Sequence, residues 1–240
     1  PEVKTDETVE SKAPAADIPE MGERKQPEGP NRPDAPKQAD PSKAEDVPGL
    51  LKQAGELAKT GEPGPALETY QIALKKASAA SDQKQMAAAL AGAARMSHQL
   101  GRDSEALEYV NGSININLAT KNAQARSLDY LLAGRILMSQ SDYAQALKSF
   151  EEALKIIPTS EAGEMPQLLE DMAVSYLRLH RYPDALSSYN RLLSIYAKTG
   201  NNVASARINV LMGEIQVSRS DYRAARANFK KAESIYRDLT

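Results

Sequence analysis

Cysteine and tryptophan are absent from the 240 residues, and histidine occurs only at positions 98 and 180. Without cysteine the chain has no disulfide, no Cys-ligated zinc, no iron–sulfur cluster and no thiol nucleophile. Two histidines 82 positions apart are a poor basis for a metal site, so neither metal nor cofactor is expected. Charge of one sign is missing too: 30 Lys+Arg against 32 Asp+Glu leave a formal charge of −2. The chain therefore lacks the positive field that drives nonspecific nucleic-acid binding, and no nucleic-acid partner is expected. No apolar run reaches the roughly 18 residues of a spanning helix, which argues against direct membrane insertion. Phosphate-binding, zincin and nucleophile-elbow strings are lacking, and neither histidine has an Asp or Ser at a motif spacing. Glu151-Glu152 and Glu170-Asp171 are carboxylate neighbours, but adjacent helical positions diverge by about 100° and such pairs solvate a face. The expectation is a protein that is not an enzyme.

Aromatic residues are scarce as well, and their placement is informative. All ten Tyr and both Phe lie at Tyr70 or beyond, whereas nine of the 14 prolines fall within residues 1–48. A segment so rich in proline and so poor in large apolar side chains buries too little surface to offset chain entropy. Residues 1–48 are read as an extended, polyproline-II-biased tail or linker, with 12 acidic and seven basic residues. Beginning on Pro1 rather than Met, the chain reads as a processed or trimmed product, and such a spacer points towards a bacterial envelope or periplasmic location, the cytoplasm being the alternative.

Beyond the tail the sequence repeats. Ala66, Ala106, Ala146, Ala185 and Ala225 are spaced by 40, 40, 39 and 40, and 12 residues before each stands Ala54, Ala94, Gly134, Ala173 or Gly213. Four residues after each alanine comes Tyr70, Val110, Phe150, Tyr189 or Phe229, and three further on Ala73, Ser113, Ala153, Leu192 or Ala232. Steps of four and three are helical, and small columns beside bulky ones let two helices approach closely. Each repeat reads as two antiparallel helices. The first of each pair is placed at 49–60, 83–100, 123–140, 163–179 and 203–218, the second at 63–79, 104–119, 143–157, 183–198 and 222–239. Asp142 and Asp221 stand where an N-cap carboxylate is needed, Gly61 and Gly101 occupy matching turns, Pro63 and Pro183 suit helix starts, and Pro158 closes the third hairpin. Tyr143, Tyr182 and Tyr222 share one slot and are read as packing residues. In repeat two, Asn111-Gly112-Ser113-Ile114-Asn115-Ile116-Asn117 combines an Asn-Gly pair with β-branched residues, so a kink or looser surface is expected.

These columns resemble the tetratricopeptide repeat (TPR) family over 49–240. Repeat three carries the match in Tyr130, Ala133-Gly134, Leu137, Asp142-Tyr143, Ala146, Phe150, Ala153 and Pro158, and repeat five in Gly213, Asp221-Tyr222, Ala225, Phe229 and Ala232. The period of 39–40 is similar to a subgroup with lengthened helices. The resemblance implies an all-α, right-handed superhelical solenoid of five helix-turn-helix repeats, divided at 49–82, 83–122, 123–161, 162–201 and 202–240. It also implies a concave groove lined by the first helices, which binds a protein or peptide partner.

Taking i, i+4 and i+8 on those helices puts Arg95 and Gln99, Leu131 and Arg135, Glu170 and Arg178, and Glu214 on one line, with His98, Met138 and Asp171 beside it. Arg95 and Arg135 share a slot in consecutive repeats and would form a ladder for carboxylates or backbone carbonyls of an extended segment. The competing reading leaves them solvated or pairs them with Glu170, Asp171 and Glu214 inside the groove. Gly92 and Leu132 stand where the family's carboxylate clamp would need asparagine, which counts against that role. The expected function is a noncatalytic adaptor; the alternatives are a regulatory sensor of a small molecule or signalling peptide, or a structural subunit. The last helix has no polar cap after it, so the expectation is either that the natural chain continues or that a second copy, a partner or the chain's own tail covers the last repeat.

Overall fold

The computed structural model describes residues 46–157 and 163–239. Nearly all of the Pro-rich tail, and Pro158, lie outside them. Among the described residues the chain forms ten α-helices and no strand: α1 (Val47–Lys59), α2 (Pro63–Ala79), α3 (Gln83–Gln99), α4 (Asp103–Ala119), α5 (Ala123–Ser139), α6 (Tyr143–Ile156), α7 (Met165–Arg178), α8 (Tyr182–Thr199), α9 (Asn202–Ser218) and α10 (Tyr222–Asp238). None is long and apolar enough to cross a membrane. Helix α1 starts two residues earlier than the sequence suggests, because Asp46 accepts the Gly49 N–H at 2.9 Å and Pro48 is tolerated in the first turn.

One turn design joins the helices. At the end of every first helix a single residue takes a left-handed φ: Gly61 (84°), Gly101 (73°), Ser141 (63°), His180 (57°) and Ser220 (60°). The next residue then donates its N–H back five positions, as in Arg102 to Ser97 at 2.8 Å and Asp142 to Leu137 at 2.9 Å, closing the helix with a Schellman bond. Asp142 and Asp221 also open the following helix, their carboxylates accepting the N–H of Gln145 and Ala224, each at 3.1 Å. One residue thus ends one helix and starts the next, which leaves no room for a longer loop.

The alanine columns lie at the interhelical seams. Ala54, Ala66, Ala94, Ala106, Ala146, Ala173 and Ala185 are wholly buried, and so are Val110, Phe150 and Leu192. Gly134 and Gly213 face the rings of Phe150 and Phe229 so closely that an added Cβ would overlap them. The largest core runs from Leu131 to Ile215 through α5 to α9; each fully buried Leu or Phe there contributes roughly 1.5–3 kcal/mol. Tyr222 breaks the expected pattern: at 66% exposure it is a surface residue, unlike its half-buried counterparts Tyr143 and Tyr182. Helix α4 runs continuously from Asp103 to Ala119 through the stretch where a kink or looser surface was expected. Gly112 serves close packing there, since a Cβ would sit 3.3 Å from the Leu90 side chain of α3.

Each second helix but the last packs between two first helices: α2 against α1 and α3, α4 against α3 and α5, and so on to α8 between α7 and α9, while α10 packs against α9 alone. Successive first helices α1, α3, α5 and α7 also touch each other, whereas among the described residues no two second helices do. A stack whose elements meet on one side and separate on the other curves towards the first. The first helices therefore form the inner strip.

Candidate functional site

The inner strip is polar, and its charges have different fates. Arg95 on α3 and Gln99 one turn on are exposed, as are Arg178 on α7 and Glu214 on α9. Arg135 on α5 donates from Nε to Asp171 Oδ2 on α7 at 2.8 Å, and Asp171 Oδ1 accepts from Gln167 at 2.9 Å. Glu170 pairs forward with Arg207 of α9 at 2.6 Å, so two ion pairs tie α5, α7 and α9 together. The Arg95–Arg135 ladder is therefore only half present: Arg135 is engaged, with its Nη2 buried and unpartnered. Arg95 makes no hydrogen bond or ion pair among the described residues.

Leu131 and His98 sit elsewhere than expected. Leu131 is 2% exposed and belongs to the core, because its position turns towards α6 and α7, so it offers no groove surface. Met138 is half-buried against the same core. His98 is drawn away from the strip by Asp103 at the start of α4 (Nδ1 to Oδ1, 2.7 Å), whose other oxygen accepts from Ser139 of α5 at 2.6 Å. Burial opposes the Asp103 charge, but the Ser139 and His98 hydrogen bonds outweigh it and hold the carboxyl below its ordinary range. The group links consecutive hairpins. His180 is exposed, with its ring against the Tyr182 hydroxyl at 3.1 Å.

Sequence reasoning missed Asp129 altogether. This α5 carboxylate is 3% exposed, and its Oδ2 accepts from Ser113 at 2.7 Å and Asn117 at 2.8 Å, both on α4. Ser113 lies in a column otherwise filled by alanine or leucine, and Asn117 is one turn further, so the polar run of repeat two that looked like a weakness is a buried network. Its only trace in the sequence is that intruding serine. Burial pushes the Asp129 carboxyl up, while Ser113, Asn117 and the Arg95 charge pull it back. Beside it opens a cavity of about 200 Å³ between α3 and α5, lined by Lys84, Ala91, Arg95, Asn117, Leu128 and Asp129 among others. Among the described residues no group of three or more acidic or histidine side chains could hold a metal ion.

Consecutive helical hairpins with a curved inner strip define an all-α repeat solenoid. Residues 130–160 and 164–238 match models of the tetratricopeptide repeat, so these stretches carry that repeat. No curated protein matches its sequence. Solved structures share the fold. BtubC (BKLC) from P. vanneervenii is 17% identical, with 80% of each chain covered and a TM-score of 0.68. MamA from Desulfovibrio magneticus RS-1 is 13% identical over 80% of this chain and 96% of its own, with a TM-score of 0.62. YrrB, described as a TPR protein with an unusual peptide-binding site, is 17% identical over 82% of this chain and 90% of its own, with a TM-score of 0.61.

Proposed function

We propose that this protein is a noncatalytic interaction scaffold, five repeats over residues 49–240, whose inner strip receives an extended segment of a partner protein. The observation that carries the reading is Arg95: an exposed guanidinium on the inner strip that makes no hydrogen bond or ion pair among the described residues and lines a cavity beside Asp129. Gln99, Met138, Arg178 and Glu214 extend the contact surface along the strip, while Arg135, Glu170 and Asp171 hold the neighbouring helices in place. The peptide-binding site ascribed to YrrB, on the same fold, supports this assignment. A desolvated Arg–carboxylate hydrogen bond is worth on the order of 1.5–3 kcal/mol and an exposed pair about 0.2–1, so affinity rests on a few contacts and weakens as salt rises. To test this, peptides selected from a displayed random library on the full chain are measured by fluorescence anisotropy. Arg95→Glu and Arg178→Glu should weaken them at least tenfold, more at low salt than at high; binders indifferent to both changes would remove the inner strip from the function.

A second reading, a subunit that self-associates, is favoured by the last hairpin. Val217, Tyr222 and Phe229 are 44%, 66% and 37% exposed and line one open apolar depression with Arg226 and Lys230. Sedimentation of the native chain and of Phe229→Asp decides it: a concentration-dependent dimer lost in the variant supports this surface, a monomer at all concentrations removes it.

A further inference from the structure

The cavity between α3 and α5 combines two features that seldom stand side by side unpaired. Asp129 is nearly fully buried, its two donors, Ser113 and Asn117, reach the same oxygen, and no donor among the described residues reaches Oδ1. Arg95, close enough for its charge to act on Asp129, brings donors and no acceptor to the same cavity. The walls are apolar: Ala87, Ala88, Ala91 and Leu128.

The chemistry of the occupant follows by elimination. A cationic side chain would suit Asp129 but meets Arg95 and Lys84; an anionic one would suit Arg95 but meets a buried carboxylate. A neutral group with one face donating and the other accepting satisfies both. A volume of about 200 Å³ is below the roughly 300–1,000 Å³ of small-molecule sites and suits a single side chain. From this geometry we propose that the cavity is a specificity pocket for the primary amide of an Asn or Gln side chain on the bound partner segment. The amide NH₂ donates to Asp129 Oδ1 and its carbonyl accepts from Arg95, while Ser113 and Asn117 fix the carboxylate. This assignment rests on the reading that the inner strip takes a peptide, and it names which residue the strip selects.

The test uses the same displayed library on the full chain. One position of the selected peptides should be fixed as Asn or Gln, and changing that residue to Glu, Lys or Met should weaken binding at least tenfold. Asp129→Asn turns the receiving oxygen into a second NH₂ and should erase that preference. It also removes a buried charge, so its thermal midpoint should be unchanged or higher, which separates lost recognition from lost folding. Arg95→Met, on the surface, should reduce the same preference without touching the core. Binders that depend on Arg178 but show no amide preference and bind Asp129→Asn equally would overturn the pocket and leave the groove reading standing. Binders with Lys, Arg or Glu fixed at that position would also overturn it, as would dependence on Asp129 without any side-chain preference, which points to a backbone amide. If no binder responds to any inner-strip variant, the groove reading falls and the pocket with it.

Discussion

Glycine at 134 is there for the Phe150 ring, not for backbone freedom, since its helix continues through it. Gly134→Ala gains helix propensity of about 1 kcal/mol yet places a methyl group inside the ring's volume, at a cost of about 1–3 kcal/mol, so it should destabilise the protein in urea melts. Gly55→Ala, which meets only the Tyr70 hydroxyl at 3.9 Å, should instead stabilise it by about 0.5–1 kcal/mol. Equal effects from the two changes would refute the packing argument. Both glycines read alike in sequence; only the column spacing singles out position 134. Asp129 was less legible still. Its partners come from 12 and 16 residues away on another helix, and a carboxylate on an amphipathic pattern reads as solvated surface until that neighbour is known.

Among the elements, turns and helix ends were the most readable, because the cap, the closing bond and the left-handed residue are local. What was not readable is that serine or histidine fills the left-handed slot where Gly61 and Gly101 do so in the first two hairpins. A side chain there costs roughly 1 kcal/mol, partly offset by the entropy glycine adds to the unfolded chain. Ser141→Gly combined with Ser220→Gly should raise the melting midpoint by about 2–4 °C; a fall would show that the serines make compensating contacts. Pairing between first helices was readable only as an alternative, since which of Glu170, Asp171 and Glu214 meets an arginine depends on the charges the curvature brings together. For Arg135 and Asp171, 38% and 14% exposed, a double-mutant cycle with Arg135→Met and Asp171→Asn should give a coupling near 1 kcal/mol, shrinking in high salt. A coupling of zero would return Arg135 to the pool of free groove cations.

For the molecule as a whole, alkaline pH probes the seams between repeats. Burial raises the phenols of Tyr109, Tyr176 and Tyr196, and pushes Tyr189 up to about 12. A group whose folded pKa lies above its unfolded value stabilises below the latter and loses that contribution as pH climbs through the former. Stability should thus hold to about pH 10 and then fall towards 12, with Tyr189 accounting for roughly 2–3 kcal/mol. Tyr189→Phe should change little at pH 7 and flatten the alkaline limb, read by circular dichroism against tyrosinate absorbance. The solenoid class was plain from the small columns, because alanines recurring every 39 or 40 residues mark equal hairpins that meet their neighbours at the same place. The division of labour along the inner strip was not, because it depends on which strangers meet. The Ser113–Asn117–Asp129 triad carries a last consequence. These modules are not interchangeable bricks: a chimaera that moved the hairpin of α5 and α6 next to any α4-equivalent other than its own would strand a carboxylate in a greasy joint, so the order of units is written into the chain by one polar lock.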